Sequence, residues 1–465
     1  MPPGFGVRQS SAAFERCGRS ESGRGLPHSK TLSRSTAPGR FAIVRAVQLK
    51  LISLLGLVVF IGVAWVISSN RKLFPWRTVL WGVGLQFLFA LLILKTPWGA
   101  AVFDFTGRAI NKMIQFSNDG CQFVFGPFAM DASMQRVFPE RPLVFAVLVL
   151  GTIIIVASLS SLFYHWGVLQ KVVHAMAWVM RTTMRTSGSE TLSAAANIFM
   201  GQTEAPLFIK PYIPRMTRSE LLCMMTGGMA TIAGGVAAVY IKMGMDAGHK
   251  DIAGHLLTAS VLSAPAALLI SKVMLPETEQ SETASVAAKD PPRATVNSLD
   301  ALCRGASDGM MLAMNVMAML IAFIAVVALA NYLLTFPQTR LGVAHPVNLQ
   351  TLFGWLNAPF AWLMGVPAND CVTIGGILGE RIVLNEFIGY LTLTGPNTHV
   401  DERSFTLATY ALCGFANFAS IAIQVGGIGS LAPERRADMA RLGVRAMIGG
   451  LLASYLTATI AGTLI

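Results

Sequence analysis

Several polar residues stand in apolar surroundings at spacings that could hold a ligand. Gln202 and Glu204 lie between the apolar runs 194–200 and 205–209. Asn385 and Glu386 sit inside LNEFIGY, and Asn417 and Ser420 lie around Phe418, just after Phe415. A carboxylate at membrane depth is costly unless it does something. A carboxylate beside an amide offers acceptors and donors suited to a neutral, hydroxyl-rich ligand. Residues two apart on a regular helix face in different directions, so Gln202 and Glu204 can serve one ligand only at a break. Gly201 permits that turn, and Pro206 suits the first turn of a new helix. Asn417 and Ser420, three apart, share one helix face. Asn197 and Thr231 add an amide oxygen and a hydroxyl. With unwound backbone carbonyls they could hold a sodium ion without net charge.

Each group also has a structural alternative. Glu204 could pair with Lys210, and Glu386 with Arg381. Asn and Ser in membrane helices often join helices together. Glu380-Arg381 reads as an ion pair or gate, with the structural role favoured. His165, His174, His249 and His255 fall at the edges of apolar runs, where solvation explains them. The methionines at 310–319 read as packing.

The elements that must position these groups are apolar helices. The chain has 465 residues, 53% hydrophobic and 13% charged, with mean hydropathy +0.57. Soluble domains carry about 25% charged residues. Apolar runs of about 20 residues match a bilayer span. The predicted class is an all-α polytopic membrane protein, not a β-barrel. The net charge of +12 lies in the tail and the loops. That is the positive-inside pattern rather than a nucleic-acid signal. The cysteines form no CxxC pair, so neither a disulfide framework nor a zinc site is expected. No HExxH, GxSxG or phosphate loop supports an enzyme.

Expected spans are 49–68, 79–94, 143–163, 221–243, 256–272, 310–334, 405–428 and 444–464, with amphipathic interfacial helices at 98–140, 166–183 and 299–308. The stretches 188–215 and 351–395 are apolar but broken by Gly and Pro, as re-entrant hairpins are. Each carries a carboxylate and precedes a span interrupted by small and polar residues. Two such units starting on odd and even spans would be an inverted repeat, the architecture of secondary transporters. The domains are then a disordered basic tail (1–48), N-terminal spans with an interfacial helix as scaffold (49–140), a first repeat with hairpin 1 (141–275), a polar linker (276–295) and a second repeat with hairpin 2 (296–465). The summed loop charge puts both termini outside, although the basic tail opposes this.

At these residues the chain resembles the concentrative nucleoside transporter family. The strings are NIFMGQTEAPLFIKPYI at 197–213, MTGGMATIAGGVAAVY at 225–240, LNEFIGY at 384–390 and CGFANFASIAIQVGGIGSLAPERR at 413–436, and the likeness spans about residues 50–465. The resemblance implies a homotrimer with eight core spans, two re-entrant hairpins and three interfacial helices, importing nucleosides by an elevator motion. It implies that Gln202 and Glu204 hold the base, that Glu386, Asn417 and Ser420 hold the ribose, and that Val236 and Phe415 make apolar contacts. It places sodium at Asn197, Met200, Thr231 and Ile232. Proton-coupled members tend to lack the Asn, so Asn197 favours sodium. The family usually reads NEFVAY where this chain has NEFIGY, and a Lys after a neutral residue at Glu380-Arg381. The expectation is a sodium-driven nucleoside symporter of the bacterial inner membrane, with no cofactor and no nucleic-acid partner. A proton-coupled carrier, or a nucleoside channel or sensor, is the alternative.

Overall fold

The computed structural model describes residues 40–129, 145–283, 295–344 and 346–465. Two units emerge, Met1–Val44 and Arg45–Ile465. In the first, the described residues 40–44 are helical. All regular structure among the described residues is helical.

The first helix, α1 (Arg40–Val66), starts earlier than expected. Residues 40–48 are therefore helix rather than disordered tail. Phe41, Ala42, Ile43, Val44, Ala46 and Val47 continue the apolar run with no breaker. The rest of the tail lies outside the described residues, as does most of the linker. After α1 come α2 (Trp76–Lys95) and α3 (Pro97–Phe125), the latter covering the described part of the expected interfacial stretch. Then α4 (Phe145–His165) meets α5 (Val168–Met184) at Gly167, whose φ of 74° allows the turn. The two are bent by 77°.

The next segment contains α6 (Gly188–Asn197), an irregular turn through Glu204, and short 3-10 turns at Ala205–Ile209 and Ile213–Arg215. The prolines after the first turn keep this part from forming an α-helix. The expected span 221–243 is two helices, α7 (Arg218–Ala230) and α8 (Gly234–Asp246), interrupted at 231–233. α9 (Ile252–Met274) follows, almost wholly buried against α2, α7 and α16 (Arg436–Leu464). Its alanines and serines let neighbours approach closely.

A single helix, α10 (Ser298–Arg340), joins the expected interfacial helix 299–308 to the expected span 310–334. No Gly-Pro break separates them, and Gly305 and Gly309 seat α10 directly on α4 at Ala157 and Ile154. Beyond it lie α11 (Leu349–Leu363), α12 (Cys371–Val383) and α13 (Glu386–Leu393). The expected span 405–428 is again two helices, α14 (Glu402–Leu412) and α15 (Phe418–Leu431), before α16.

Long enough and apolar enough to cross a membrane are Val47–Val66, Trp76–Lys95, Arg218–Asp246, Ile252–Met274 and Pro433–Leu464, with the bent α4–α5 pair as one more candidate. The protein is a multi-pass membrane protein.

The base of α6 is tied down by buried polar groups. Ser187 and Glu190 form a capping box at its start, as Thr217 and Glu220 do for α7. The Ser189 hydroxyl donates to Glu220 across 3.2 Å. Lys272, near the end of α9, stands 2.7 Å from Glu190 and 3.3 Å from Glu277. A parallel tie joins the start of α12 to that of α14, where the Asp401 N–H donates to Asp370 at 2.9 Å and the Ser404 hydroxyl does likewise.

Candidate substrate and ion site

Two helix starts converge through their caps. Asn385 caps α13, its Oδ1 accepting the Ile388 N–H at 3.0 Å. That places Glu386 at the first position of the helix, where exposed N–H groups favour a carboxylate. Asn417 caps α15, its Oδ1 accepting the Ser420 N–H at 2.8 Å. Its Nδ2 then donates to Glu386 Oε2 at 3.1 Å. The Tyr240 hydroxyl on α8 donates to Glu386 Oε1 at 2.9 Å. Each carboxylate oxygen thus holds one side-chain donor, and a carboxylate has acceptor capacity beyond these two for a ligand hydroxyl.

Gln202 enters from the turn after α6, with its Nε2 donating to Ser420 Oγ at 3.2 Å. The result is one hydrogen-bonded line from Gln202 through Ser420 and Asn417 to Glu386 and Tyr240. The chain therefore brings together Gln202, Glu386, Asn417 and Ser420. Phe415 is half-buried beside them, its carbonyl accepting the Asn417 N–H at 2.9 Å. Glu204 lies at the turn, accessible, its Oε2 accepting the Gly201 N–H at 3.4 Å. No ion pair joins it to Lys210 among the described residues. Val236 is buried in α8, and no polar contact ties it to this line.

Two residues, one in this line and one bonded to its Gln202 end, escaped the sequence reading. Tyr240 gave no signal, because it lies 146 residues from Glu386. Gln424 is fully buried, and its Nε2 donates to Gln202 Oε1 and to the Met225 carbonyl, both at 3.1 Å. Its place one helical turn after Ser420 was the available clue.

Arg381 is fully buried but pairs with neither Glu380 nor Glu386. Its guanidinium donates to the Ala411 carbonyl, and to Ser454 Oγ at 3.0 Å. It joins α12 to the end of α14 and to α16, so the ion-pair reading of Glu380-Arg381 gives way to a cross-link between helices.

The candidate ion ligands lie where α6 and α7 end. Asn197 is the last residue of α6 and fully buried. Its Nδ2 donates to the Ser193 carbonyl at 3.0 Å, while its Oδ1 has no hydrogen-bond partner among the described residues. A Cβ on Gly227 of α7 would stand 3.5 Å from that amide nitrogen, so the two helix ends are neighbours. Thr231 caps α7, and its hydroxyl donates to the Gly227 carbonyl at 3.1 Å, which leaves its oxygen free to accept. Ile232 is buried in the break and Met200 is half-buried in the turn. The Gly234 N–H donates to the Phe199 carbonyl at 3.3 Å and joins turn to break. An orphaned amide oxygen between two helix C-termini fits a small monovalent cation. Among the described residues no group of three or more His, Cys, Asp or Glu suits a transition metal.

Comparison with known proteins gives a consistent picture. Family models match residues 55–128 (Na+ dependent nucleoside transporter N-terminus), 146–247 (Nucleoside recognition) and 255–462 (Na+ dependent nucleoside transporter C-terminus). An uncharacterized transporter of Haemophilus influenzae is 42% identical over 89% of this chain and 97% of its own length. Sodium/nucleoside cotransporter 2 of Rattus norvegicus is 37% identical over 89% of this chain, which spans 63% of that longer protein. The solved structure of CNTnw in an inward-facing substrate-bound state is 37% identical, with TM-score 0.81 over 89% of this chain and 97% of that one. A CNTnw variant in an outward-facing state gives TM-score 0.83 over 90% and 98%.

Proposed function

As this chain belongs to the concentrative, Na+ dependent nucleoside transporter family, we propose that it is a secondary active symporter that imports nucleosides down a sodium gradient. Its family and structural relatives are transporters, not enzymes. The observation that carries the reading is the line Gln202–Ser420–Asn417–Glu386–Tyr240, which joins two carboxamides, two hydroxyls and a buried carboxylate in a membrane protein. Such a set suits a neutral ligand with a polar base and a diol.

In this reading Gln202 and Glu204 face the nucleobase, and Phe415 and Val236 give it apolar contact. Glu386, Asn417 and Ser420 take the ribose hydroxyls. Sodium binds at Asn197, Met200, Thr231 and Ile232, where the unpartnered Asn197 oxygen supports it. The ion holds the turn 198–204 against the break in α7–α8, and this completes the base contacts. Each ligand then raises the affinity for the other. The two broken segments act as re-entrant hairpins of an inverted repeat with eight spans in all. A repeat-based transport domain moves past a scaffold formed by the N-terminal spans, in a trimer of the bacterial inner membrane.

Uptake of labelled uridine into proteoliposomes tests this. An inward sodium gradient should drive accumulation, choline replacement should stop it, and Glu204→Gln should abolish it in a folded protein. Normal uptake by that variant sinks the site assignment. Accumulation driven equally by a pH gradient alone favours proton coupling, and downhill flux without accumulation favours a channel.

A further inference from the structure

We propose that Gln424 is a positioning residue that fixes which end of the Gln202 amide faces the ligand, and thereby makes Gln202 a hydrogen-bond donor to a carbonyl on the nucleobase. The inference rests on the reading of Gln202 as a base contact.

The argument begins at a backbone carbonyl. Gln424 lies on α15, fully buried, and its amide nitrogen reaches the Met225 carbonyl on α7 at 3.1 Å. A carbonyl can only accept, so the NH2 end of Gln424 must face α7. The same NH2 group reaches Gln202 at 3.1 Å. It can only donate there, so Gln202 must present its oxygen to Gln424. The nitrogen of Gln202 is left on the other side, where it donates to Ser420 Oγ at 3.2 Å. Chemistry thus assigns both amides from one fixed acceptor. A reversed Gln202 would set donor against donor and lose the bond.

Glycine at position 228 makes the arrangement possible. A Cβ there would come within 2.7 Å of Gln424 Nε2 and 2.9 Å of Gln202 Cβ. The Gln424 amide and the Cβ of Gln202 both rest on α7 in the space that this residue leaves open.

The amide oxygen of Gln202 is turned to Gln424, and its NH2, on the opposite side, carries a second hydrogen beyond the one given to Ser420. Gln202 therefore offers a donor, and Glu204 nearby offers an acceptor. A base edge with a carbonyl beside a ring N–H answers that pair, as in uracil and hypoxanthine. An exocyclic amine in place of the carbonyl puts a donor against a donor. The site is built for keto rather than amino nucleosides.

Equilibrium binding to the purified, sodium-loaded protein tests this with pairs differing at one base substituent, uridine with cytidine and inosine with adenosine. The wild type should bind the keto member about tenfold more tightly, the ratio expected for one mispaired buried hydrogen bond. Gln424→Met keeps the volume and removes the orienting bonds, so Gln202 can turn. The ratio should fall to within about twofold. Gln424→Lys keeps donors toward both Met225 and Gln202 and should restore the preference. A Gln424→Met protein that weakens both members equally, with the ratio intact, overturns the proposal in favour of simple packing. Equal binding of keto and amino nucleosides by the wild type also overturns it, with no variant needed. Wild-type protein that binds no nucleoside at all refutes the transport reading instead.

Discussion

Lys272 should be a point of failure. Its ammonium stands 2.7 Å from Glu190, with side chains 7% and 2% exposed, and it also reaches Glu277 at 3.3 Å and Ser219 at 2.9 Å. Glu190 is not free to leave, because its other oxygen accepts the Ser187 N–H at 2.7 Å in the capping box. Lys272→Met keeps the length and removes the charge, so a buried carboxylate loses its cation. Breaking a buried pair from one side costs about 3–5 kcal/mol. Glu190→Gln alone leaves Lys272 a second partner in Glu277, so it should cost less. In the double variant neither charge is stranded, and most of the loss should return. The assay is thermal unfolding in detergent for wild type, both singles and the double. The expected fall for Lys272→Met is on the order of 5 °C, with at least half of it recovered in the double. Additive losses would show that the two groups do not act as a pair. A Lys272→Met protein as stable as wild type would refute the electrostatic argument outright.

Other consequences can be checked separately. Gly228→Ala adds a methyl group that would stand 2.7 Å from the Gln424 amide nitrogen and 2.9 Å from the Gln202 Cβ, so these must shift. Overpacking of about 1–3 kcal/mol should weaken uridine binding tenfold or more while circular dichroism stays unchanged. Asn385→Ala removes the cap of α13 and should cost about 1 kcal/mol, visible as faster amide exchange at Ile388. His249, in the loop after α8, stacks on Phe405 with ring centres 3.5 Å apart, and burial holds its pKa below the ordinary 6.5. A depressed folded pKa means that the stacked state is favoured above 6.5 and loses that advantage as pH falls through the folded value. Exchange protection of this loop should therefore drop as pH falls below 6.5, and His249→Phe should abolish the drop.

The helical class and the positions of the breaks were legible because Gly, Pro and polar residues interrupt apolar runs. Gly201 and Pro206 marked one turn, and small and polar residues marked an interruption within the expected span 405–428. Asn417 and Ser420 were legible as one face, yet not as a helix cap with its first turn, because the sequence does not show where α15 starts. Contacts between distant segments could not be read. Tyr240 meets Glu386, and Lys272 meets Glu190, only because packing of helices far apart in the chain brings them there. Arg381 misled for the same reason. Its neighbours in sequence are acids, but folding turns it toward the Ala411 carbonyl and Ser454. The join of 299–308 to 310–334 was missed because polarity changes along α10 while the backbone does not.

That long helix has one more implication. Its 43 residues make a rod of about 65 Å at 1.5 Å per residue, roughly twice the 30 Å thickness of the hydrocarbon core. Such a rod cannot stand upright within the bilayer. It must lean steeply or carry its polar first turns beyond the lipid tails. Pro337 lies only at its far end, so the middle offers no proline joint at which to fold. α10 is in effect a yardstick of constant length. Cross-link distances measured along it should stay the same in every state of the protein, and displacement of other helices can be gauged against its graduations.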